Sequence, residues 1–364
     1  MKFRFAIISD PHLAVPYTIK HDSNHFSIVE IGILAIEKVF SHLEQLDLDF
    51  LLIPGDLTQD GEPDNHSWLQ QRLAFLPFPV YVVPGNHDIP TLYSTQNTIG
   101  FREFTKYYRS HGYSDSHQCY YTHEVLPGVQ LIGLNSNQFN EDGKQLGCLD
   151  EKQLTWLEKL LPQLKDQLIL IIIHHNVIEH LPRQANNPLG KRYMLDNASL
   201  LLNILKNTGC KLIFTGHLHI QDIAYHNNIY EITTGSLVSY PHPYRIIEVE
   251  RTSQKNINLN IKSHRVDRVT GWDNLTTMSR QLIGERSFPF MIKLLMASPF
   301  EMSMKEAEKL VPYLKYFWAD IAEGDNVFDF SEFPTEIRHY FQRFGAVKQN
   351  GTPALIDNYA RLEL

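Results

Sequence analysis

The hexapeptide Leu-Ile-Leu-Ile-Ile-Ile at 168–173 carries no polar side chain, so a strand built from it must be covered on both faces. Such a strand belongs inside a layered structure, and this one is part of a series. Short β-branched runs at 3–8, 50–53, 80–83, 129–134, 168–173, 212–214, 229–232 and 245–249 alternate with segments of helical periodicity. The helical segments lie at 28–46, 65–75, 101–111, 151–164 and 197–207, and Gly209 follows the last of them where a C-cap belongs. The alternation predicts an α/β sandwich of layers, whose ligand sites lie beyond the carboxyl ends of the strands.

Beyond about Val266 the pattern changes. Candidate helices at 275–283, 289–296, 304–321 and 334–344 follow one another without a strand run of comparable strength. A boundary is expected within 263–274, giving a larger α/β unit over 1–266 and a small helical appendage over 267–364. With 364 residues and 43% hydrophobic content, the chain can bury a large core. Its longest apolar stretch, Phe288 to Phe300, contains Lys293 and two prolines and is too short to span a bilayer.

Five polar fragments begin where apolar runs end: Asp10-Pro11-His12, Gly55-Asp56, Gly85-Asn86-His87-Asp88, His174-His175, and Gly216-His217-Leu218-His219. Any one of them by itself reads as a turn or a cap; the ordered set reads as a site. Oxygen donors from Asp and Asn mixed with imidazoles favour borderline transition metals over calcium or magnesium. Seven donors, Asp10, His12, Asp56, Asn86, His174, His217 and His219, can serve two ions if one carboxylate bridges. A shared carboxylate holds two cations roughly 3.5–4 Å apart and lets one hydroxide sit between them as nucleophile.

Charge narrows the partners. With 33 Lys and Arg against 41 Asp and Glu, the net charge of −8 argues against coating nucleic acid or an anionic membrane, which select for basic patches. An anionic substrate then needs a local cationic site, and metal ions supply one. Cys119, Cys148 and Cys210 show no CxxC spacing and are expected as buried free thiols in a reducing, cytoplasmic setting; the apolar part of the N-terminus is too short for a signal peptide. There is no P-loop and no GxGxxG, so a kinase or dehydrogenase finds no support. The loop between His175 and Asp196 holds His180, Arg183, Lys191, Arg192 and Tyr193, either as a solvated basic loop or as a grip on a phosphate or base. Tyr17, Lys20, His21 and His25 are surface groups or a roof over the first motif; Trp68, Trp156, Phe317 and Trp318 are expected in the core.

The five fragments, together with GDLTQDGEP, VYVVPGNHD, LGCLDEKQLTWLEKLL, FTGHLH and the TTGS segment followed by PYRIIEVE, resemble the calcineurin-like metallophosphoesterases over about residues 3–250. Within that family the sequence is most similar to bacterial class III cyclic nucleotide phosphodiesterases. The resemblance implies a four-layer α-β-β-α metallophosphoesterase sandwich with the helical region outside it. It implies one ion held by Asp10, His12, Asp56 and His219 and a second by Asp56, Asn86, His174 and His217, with Asp56 as the bridge and Mn, Fe or Zn as the metals. His87 would contact the substrate phosphate or act as general acid, Asp88 would orient His87, and His175 would face the phosphate or support the ligands. Many relatives read HHPP where this chain reads His174-His175-Asn176-Val177, and Asn176 is expected to supply the turn by bonding to its own backbone.

The implied function is two-metal hydrolysis of phosphoester bonds, with a diester of small-molecule size, cyclic nucleotides included, as the leading substrate. The same chemistry serves a phosphomonoesterase or a pyrophosphatase. A metal-binding scaffold that acts through partners would need a damaged site, whereas all seven donors and His87 are present. The helical region is expected to cap the site, to pair with another copy in a homo-oligomer, or to cover a sheet edge.

Overall fold

The structure, a computed structural model, describes residues 1–20, 26–114, 118–206, 208–253, 256–347 and 352–364; His21 and His25 lie outside them. The strands are β1 (Lys2–Ile7), β2 (Phe50–Ile53), β3 (Val80–Val82), β4 (Tyr121–Leu126), β5 (Val129–Gly133), β6 (Asn137–Phe139) and β7 (Gln145–Gly147). They continue with β8 (Leu168–Ile172), β9 (Leu212–Thr215), β10 (Asp222–His226), β11 (Ile229–Thr233), β12 (Pro243–Ser253), β13 (Asn256–Arg265) and β14 (Tyr359–Glu363). One sheet runs β14-β13-β12-β1-β2-β3 and the other β10-β11-β9-β8-β5-β4, with β6-β7 as a separate hairpin. Pairing is parallel through β1-β2-β3 and through β11-β9-β8-β5, so those strands deliver their carboxyl ends to one side of each sheet.

The helices are α1 (Gly32–Leu43), α2 (Pro63–Leu73), α3 (Phe101–Tyr107), α4 (Glu151–Leu160), α5 (Pro188–Lys191), α6 (Ala198–Leu205), α7 (Leu275–Met296), α8 (Met304–Leu310), α9 (Phe317–Glu323) and α10 (Thr335–Gln342). The apolar run that opened the sequence argument splits its side chains between two cores. Leu168, Leu170 and Ile172 join the core shared with the first sheet, while Ile169, Ile171 and Ile173 join the core beneath α4 and α6. Within the first sheet Phe5 stacks on its neighbour Phe50 at 4.9 Å, and across the inter-sheet space it meets Phe214 of the other sheet edge-on at 5.5 Å. On the outer side of the first sheet, α1 buries Ala35, Ile36, Val39, Phe40 and Leu43, one stripe of a 3.6-residue period. The result is helix, sheet, sheet, helix, as the resemblance implied. Burying each such Leu, Ile or Phe is worth about 1.5–3 kcal/mol, which fixes the strand ends as a rigid platform.

Several elements depart from the sequence reading. Strands β4, β10 and β13 escape it because half their residues are polar: in β13 only Ile257, Leu259 and Ile261 turn inward between Asn and Lys. The helix expected to break before Pro289 runs through it, held by a buried face of Ile283, Ser287, Met291 and Leu295. A proline costs its helix a hydrogen bond, and here packing outweighs that loss. The helix expected over 304–321 divides into α8, a 3-10 turn over Val311–Leu314 that contains Pro312, and α9. Helix α6 ends at Leu205 with Lys206 as its cap, not at Gly209. Residues beyond 266 are not helical throughout, because β14 returns to pair antiparallel with β13. Among the described residues no helix is long and apolar enough to cross a membrane.

Candidate metal centre

The loops after β1 and β2 keep step beyond the strand ends, with the His12 amide donating to the Asp56 carbonyl at 3.0 Å and Leu13 to Leu57 at 3.0 Å. Asp10, His12 and Asp56 therefore leave neighbouring tracks toward one point, to which β3 adds Asn86, β8 adds His174, and β9 adds His217 and His219. Asp10, His12, Asp56, His217 and His219 all have positive φ, between 39° and 66°. Non-glycine residues avoid this region, and clusters of such strain mark functional sites. A Cβ on Gly216 would collide with the Asp10 carboxylate and one on Gly85 with the Asp56 carboxylate, which is why glycine precedes two of the motifs.

The donors fall into two overlapping groups. Asp10, His12, Asp56 and His219 bring one donor atom each within 4.8 Å of one another, and Asp56, His174 and His217 do the same, so Asp56 is common to both. His12 Nε2 lies 3.4 Å from His219 Nε2 and 3.6 Å from Asp56 Oδ2; His174 Nε2 lies 3.2 Å from Asp56 Oδ2 and 3.1 Å from Asn86 Oδ1. Lone-pair donors gathered this closely repel unless cations lie among them, and the mixture of carboxylate, amide oxygen and imidazole suits borderline transition ions. Backbone carbonyls set the tautomers: His174 Nδ1 donates to Pro54 at 2.9 Å and His217 Nε2 to Arg192 at 3.3 Å, leaving Nε2 and Nδ1, respectively, as the lone-pair nitrogens.

Electrostatics points the same way. Burial would raise the Asp56 carboxyl, yet the His174 and His87 imidazoles hold it well below its ordinary value. Asp10 is likewise held down against burial, chiefly by His219. Burial, aided by His87, pushes His12 down to about 3, and burial with His175 pushes His217 well below its ordinary value. Ionised carboxylates and neutral imidazoles are the forms that bind cations. His174 is the exception: burial lowers it, but Asp56 raises it to about 9.

Around the seven donors, two expectations need correction. Asp88 does not orient His87: its carboxylate accepts from the Gly85, Leu57 and Thr58 amides at 2.8, 3.1 and 2.9 Å and so staples the second motif to the third. His87 Nδ1 donates instead to the Gln59 carbonyl at 2.6 Å, and its amide donates to Asp56 Oδ1 at 2.8 Å. Asn176 does not bond to its own backbone; its side-chain amide reaches Thr215 and Glu231 at 3.1 and 3.2 Å. His175 is buried, with Nδ1 2.7 Å from Ser136 Oγ and its ring 4.3 Å from that of His217.

Glu231 was missed. It is fully buried and accepts from the Val177 and Ile178 amides at 2.9 and 2.6 Å and from Thr215 Oγ1 at 2.8 Å, while His180 Nε2 stands 3.0 Å away. It thereby ties together the loops that carry His174 and His217. The sequence did carry a signal: a lone carboxylate inside the apolar run of β11, where a buried charge requires partners. Gln145 was missed too, and its amide donates to the Asn86 and Ile89 carbonyls at 2.6 and 3.0 Å.

The site opens into a cavity of about 830 Å³, lined at this end by His12, Asp56, Asn86, His87, His217 and His219. Arg192 and Tyr193 also line it, the guanidinium 4.6 Å from the Tyr193 ring centre. His180 is held between Asp222 and Glu231, while Arg183 and Lys191 are exposed. Tyr17 and Lys20 bond at the surface to Asp64 and Asp60. Phe317 and Trp318 belong to an apolar cluster as expected, and both also line the cavity. Cys119, Cys148 and Cys210 are free thiols, two of them buried.

Residues 3–221 match the sequence profile of the calcineurin-like phosphoesterase family. A probable glycerophosphodiester phosphodiesterase of Arcobacter nitrofigilis is 29% identical over 192 residues, 52% of this chain but less than two thirds, 63%, of that protein. A probable cyclic nucleotide phosphodiesterase of Vesicomyosocius okutanii is 28% identical over 221 residues, 60% of this chain and 79% of its own length. The 3',5'-cyclic adenosine monophosphate phosphodiesterase of Escherichia coli is 26% identical over 225 residues, 60% and 70% of the two lengths. A dimetal phosphatase from Danio rerio shares the fold, with a TM-score of 0.53 over 72% of this chain and 96% of that one at 15% identity.

Proposed function

This chain belongs to the calcineurin-like phosphoesterase family, and on that premise we propose that it hydrolyses small phosphodiesters at a pair of transition-metal ions. The reading is carried by the two donor groups that have Asp56 in common. Asp10, His12, Asp56 and His219 would hold one ion and Asp56, Asn86, His174 and His217 the other, with manganese, iron or zinc compatible with the set. Bound there, the pair would neutralise phosphoryl charge and lower the pKa of a coordinated water toward neutrality.

The protein's own groups then have distinct tasks. Without bound ions His87 is pulled down by burial and lifted by Asp56, with a net rise; in this reading it gives a proton to the leaving alkoxide. Its Nδ1 is committed to Gln59, which presents Nε2 for that transfer. His175 supports the ring of His217 and lies on the cavity wall. The activities for which the relatives from Arcobacter, Vesicomyosocius and Escherichia coli are named favour a diester over a monoester. Residues 1–266 are the catalytic unit in this reading, with β14 added to its first sheet; α7, α9 and α10 close one side of its cavity, and the free thiols suit the cytoplasm.

Metal-reconstituted protein should cleave bis-p-nitrophenyl phosphate at least tenfold faster than p-nitrophenyl phosphate, and His87→Ala should slow the diester by about 10²-fold with metal content retained. A strong preference for the monoester would replace the diester reading with a phosphatase.

A further inference from the structure

The cavity has two chemically different ends. Opposite the strand-end donors its wall is made by helices beyond Val266: Ile283, Phe290 and Leu294 of α7, Phe317 and Trp318 of α9, and Phe341 of α10. The loop at 216–220 belongs to both ends. His217 and His219 join the donor groups, and the residues alternating with them, Leu218 and Ile220, join the apolar cluster of the helices. No polar partition therefore separates the donors from the apolar wall, and Arg192 is the one Lys or Arg among the described lining residues. The wall is backed by rings: Phe317 lies 5.0 Å from both Phe328 and Phe341. Tyr240, also on the lining, already gives its hydroxyl to Glu323 at 2.6 Å.

We infer that this wall is a subsite for an apolar substituent, so that the enzyme acts on phosphodiesters carrying an alkyl chain of several carbons on one ester oxygen. The inference rests on the phosphodiesterase reading above and narrows it. A phosphate seated at the donors places its ester group within the same cavity, against Leu218, Ile220 and the helices. An alkyl group there loses only water, at a gain of roughly fourfold in affinity for each methylene buried. A sugar or nucleobase would surrender many hydrogen bonds to water, and among the described lining residues of these helices only the Trp318 indole N–H and the Tyr340 hydroxyl could replace them. Hydrolysis adds water to phosphorus, expels p-nitrophenolate from an alkyl p-nitrophenyl phosphate and leaves the alkyl phosphate as product.

The test compares methyl, butyl and octyl p-nitrophenyl phosphates on the metal-loaded full chain, with cyclic AMP alongside, and measures octyl phosphate and methyl phosphate binding by calorimetry. The expected result is a kcat/KM that rises about fiftyfold from the methyl to the butyl ester. Leu294→Gln, at a half-buried position, should reduce that rise to a few fold while its circular dichroism melt stays cooperative. Esters that are all cleaved with equal kcat/KM, or cyclic AMP cleaved better than the butyl ester, would overturn the inference and leave the phosphodiesterase reading intact. If no diester is cleaved but octyl phosphate binds much more tightly than methyl phosphate, the apolar subsite stands and the phosphodiesterase reading falls. Equal binding in that case would overturn both.

Discussion

At one end of the cavity the side chains are held by backbone strain and hydrogen bonds; at the other they are held by packing. Asp10, His12, Asp56, His217 and His219 sit in left-handed conformations on loops that rigid parallel strands present. Phe290, Leu294, Phe317 and Phe341 sit on ordinary helices whose positions follow from the cluster they share. The contrast teaches where precision is needed. Cation-binding groups must meet within a few ångströms and stay apart from one another, so the strained end carries a network of supports in Asp88, Glu231 and Gln145. An apolar wall needs volume and water exclusion, and tolerates exchange among residues of similar size.

That difference can be broken first at the strained end. Asn86→Ala removes an oxygen donor from the second group and should lower turnover of bis-p-nitrophenyl phosphate by about 10³-fold or more with the fold intact, measured as kcat beside a circular dichroism spectrum. Activity within tenfold of the parent protein would show that the second group is not part of the reacting site.

The two ends were also unequally legible. Each polar motif stands out because it interrupts an apolar run at a strand end, where folding gives no reason for an Asp or a His. Asp56, His174 and His217 were therefore found from sequence, whereas the support from Glu231 was not, since its partners lie 16 and more residues away in sequence. Asp88 was assigned to the neighbouring His87 because adjacency in sequence was taken for contact; the chain instead turns its carboxylate back onto Leu57 and Thr58. The apolar wall was invisible for a plainer reason. Phe317 and Trp318 on a helical pattern look the same whether they face a core or a cavity, and β14 presents only Ala360 and Leu362 inward.

A milder disturbance of the supports sharpens the comparison. Glu231→Gln keeps the shape but withdraws the charge that anchors Val177, Ile178 and Thr215, and it should weaken metal binding by about tenfold, read by titration against a competing chelator. Unchanged affinity would reduce Glu231 to a bystander. The same carboxylate acts on His180: burial lowers that imidazole, but Glu231 and Asp222 raise it to about 10. Because the folded value lies above the ordinary 6.5, the folded protein holds this proton where the unfolded chain releases it. The contribution is complete below about pH 6.5 and is lost as pH rises toward 10, at up to about 1.4 kcal/mol per pH unit. His180→Asn should flatten the denaturant-unfolding profile across that window, and a variant with the slope of the parent protein would remove His180 from the account.

At the packed end the expected effect is smallest. Phe317→Leu preserves apolar character at a nearly solvent-free position and should cost no more than about 1.5 kcal/mol in urea unfolding, with metal content unchanged. A loss of bound metal in this variant would mean that the helices position the donors directly.

The sharing of Asp56 is tested most directly by counting metal in three proteins reconstituted side by side with manganese or zinc and analysed by plasma mass spectrometry. The expected result is about two ions per chain in the parent protein, about one in Asn86→Ala and close to none in Asp56→Ala, because removing the common carboxylate strips both groups at once. Asp56→Ala protein that still carried two ions would contradict the shared-aspartate centre on which the functional reading rests.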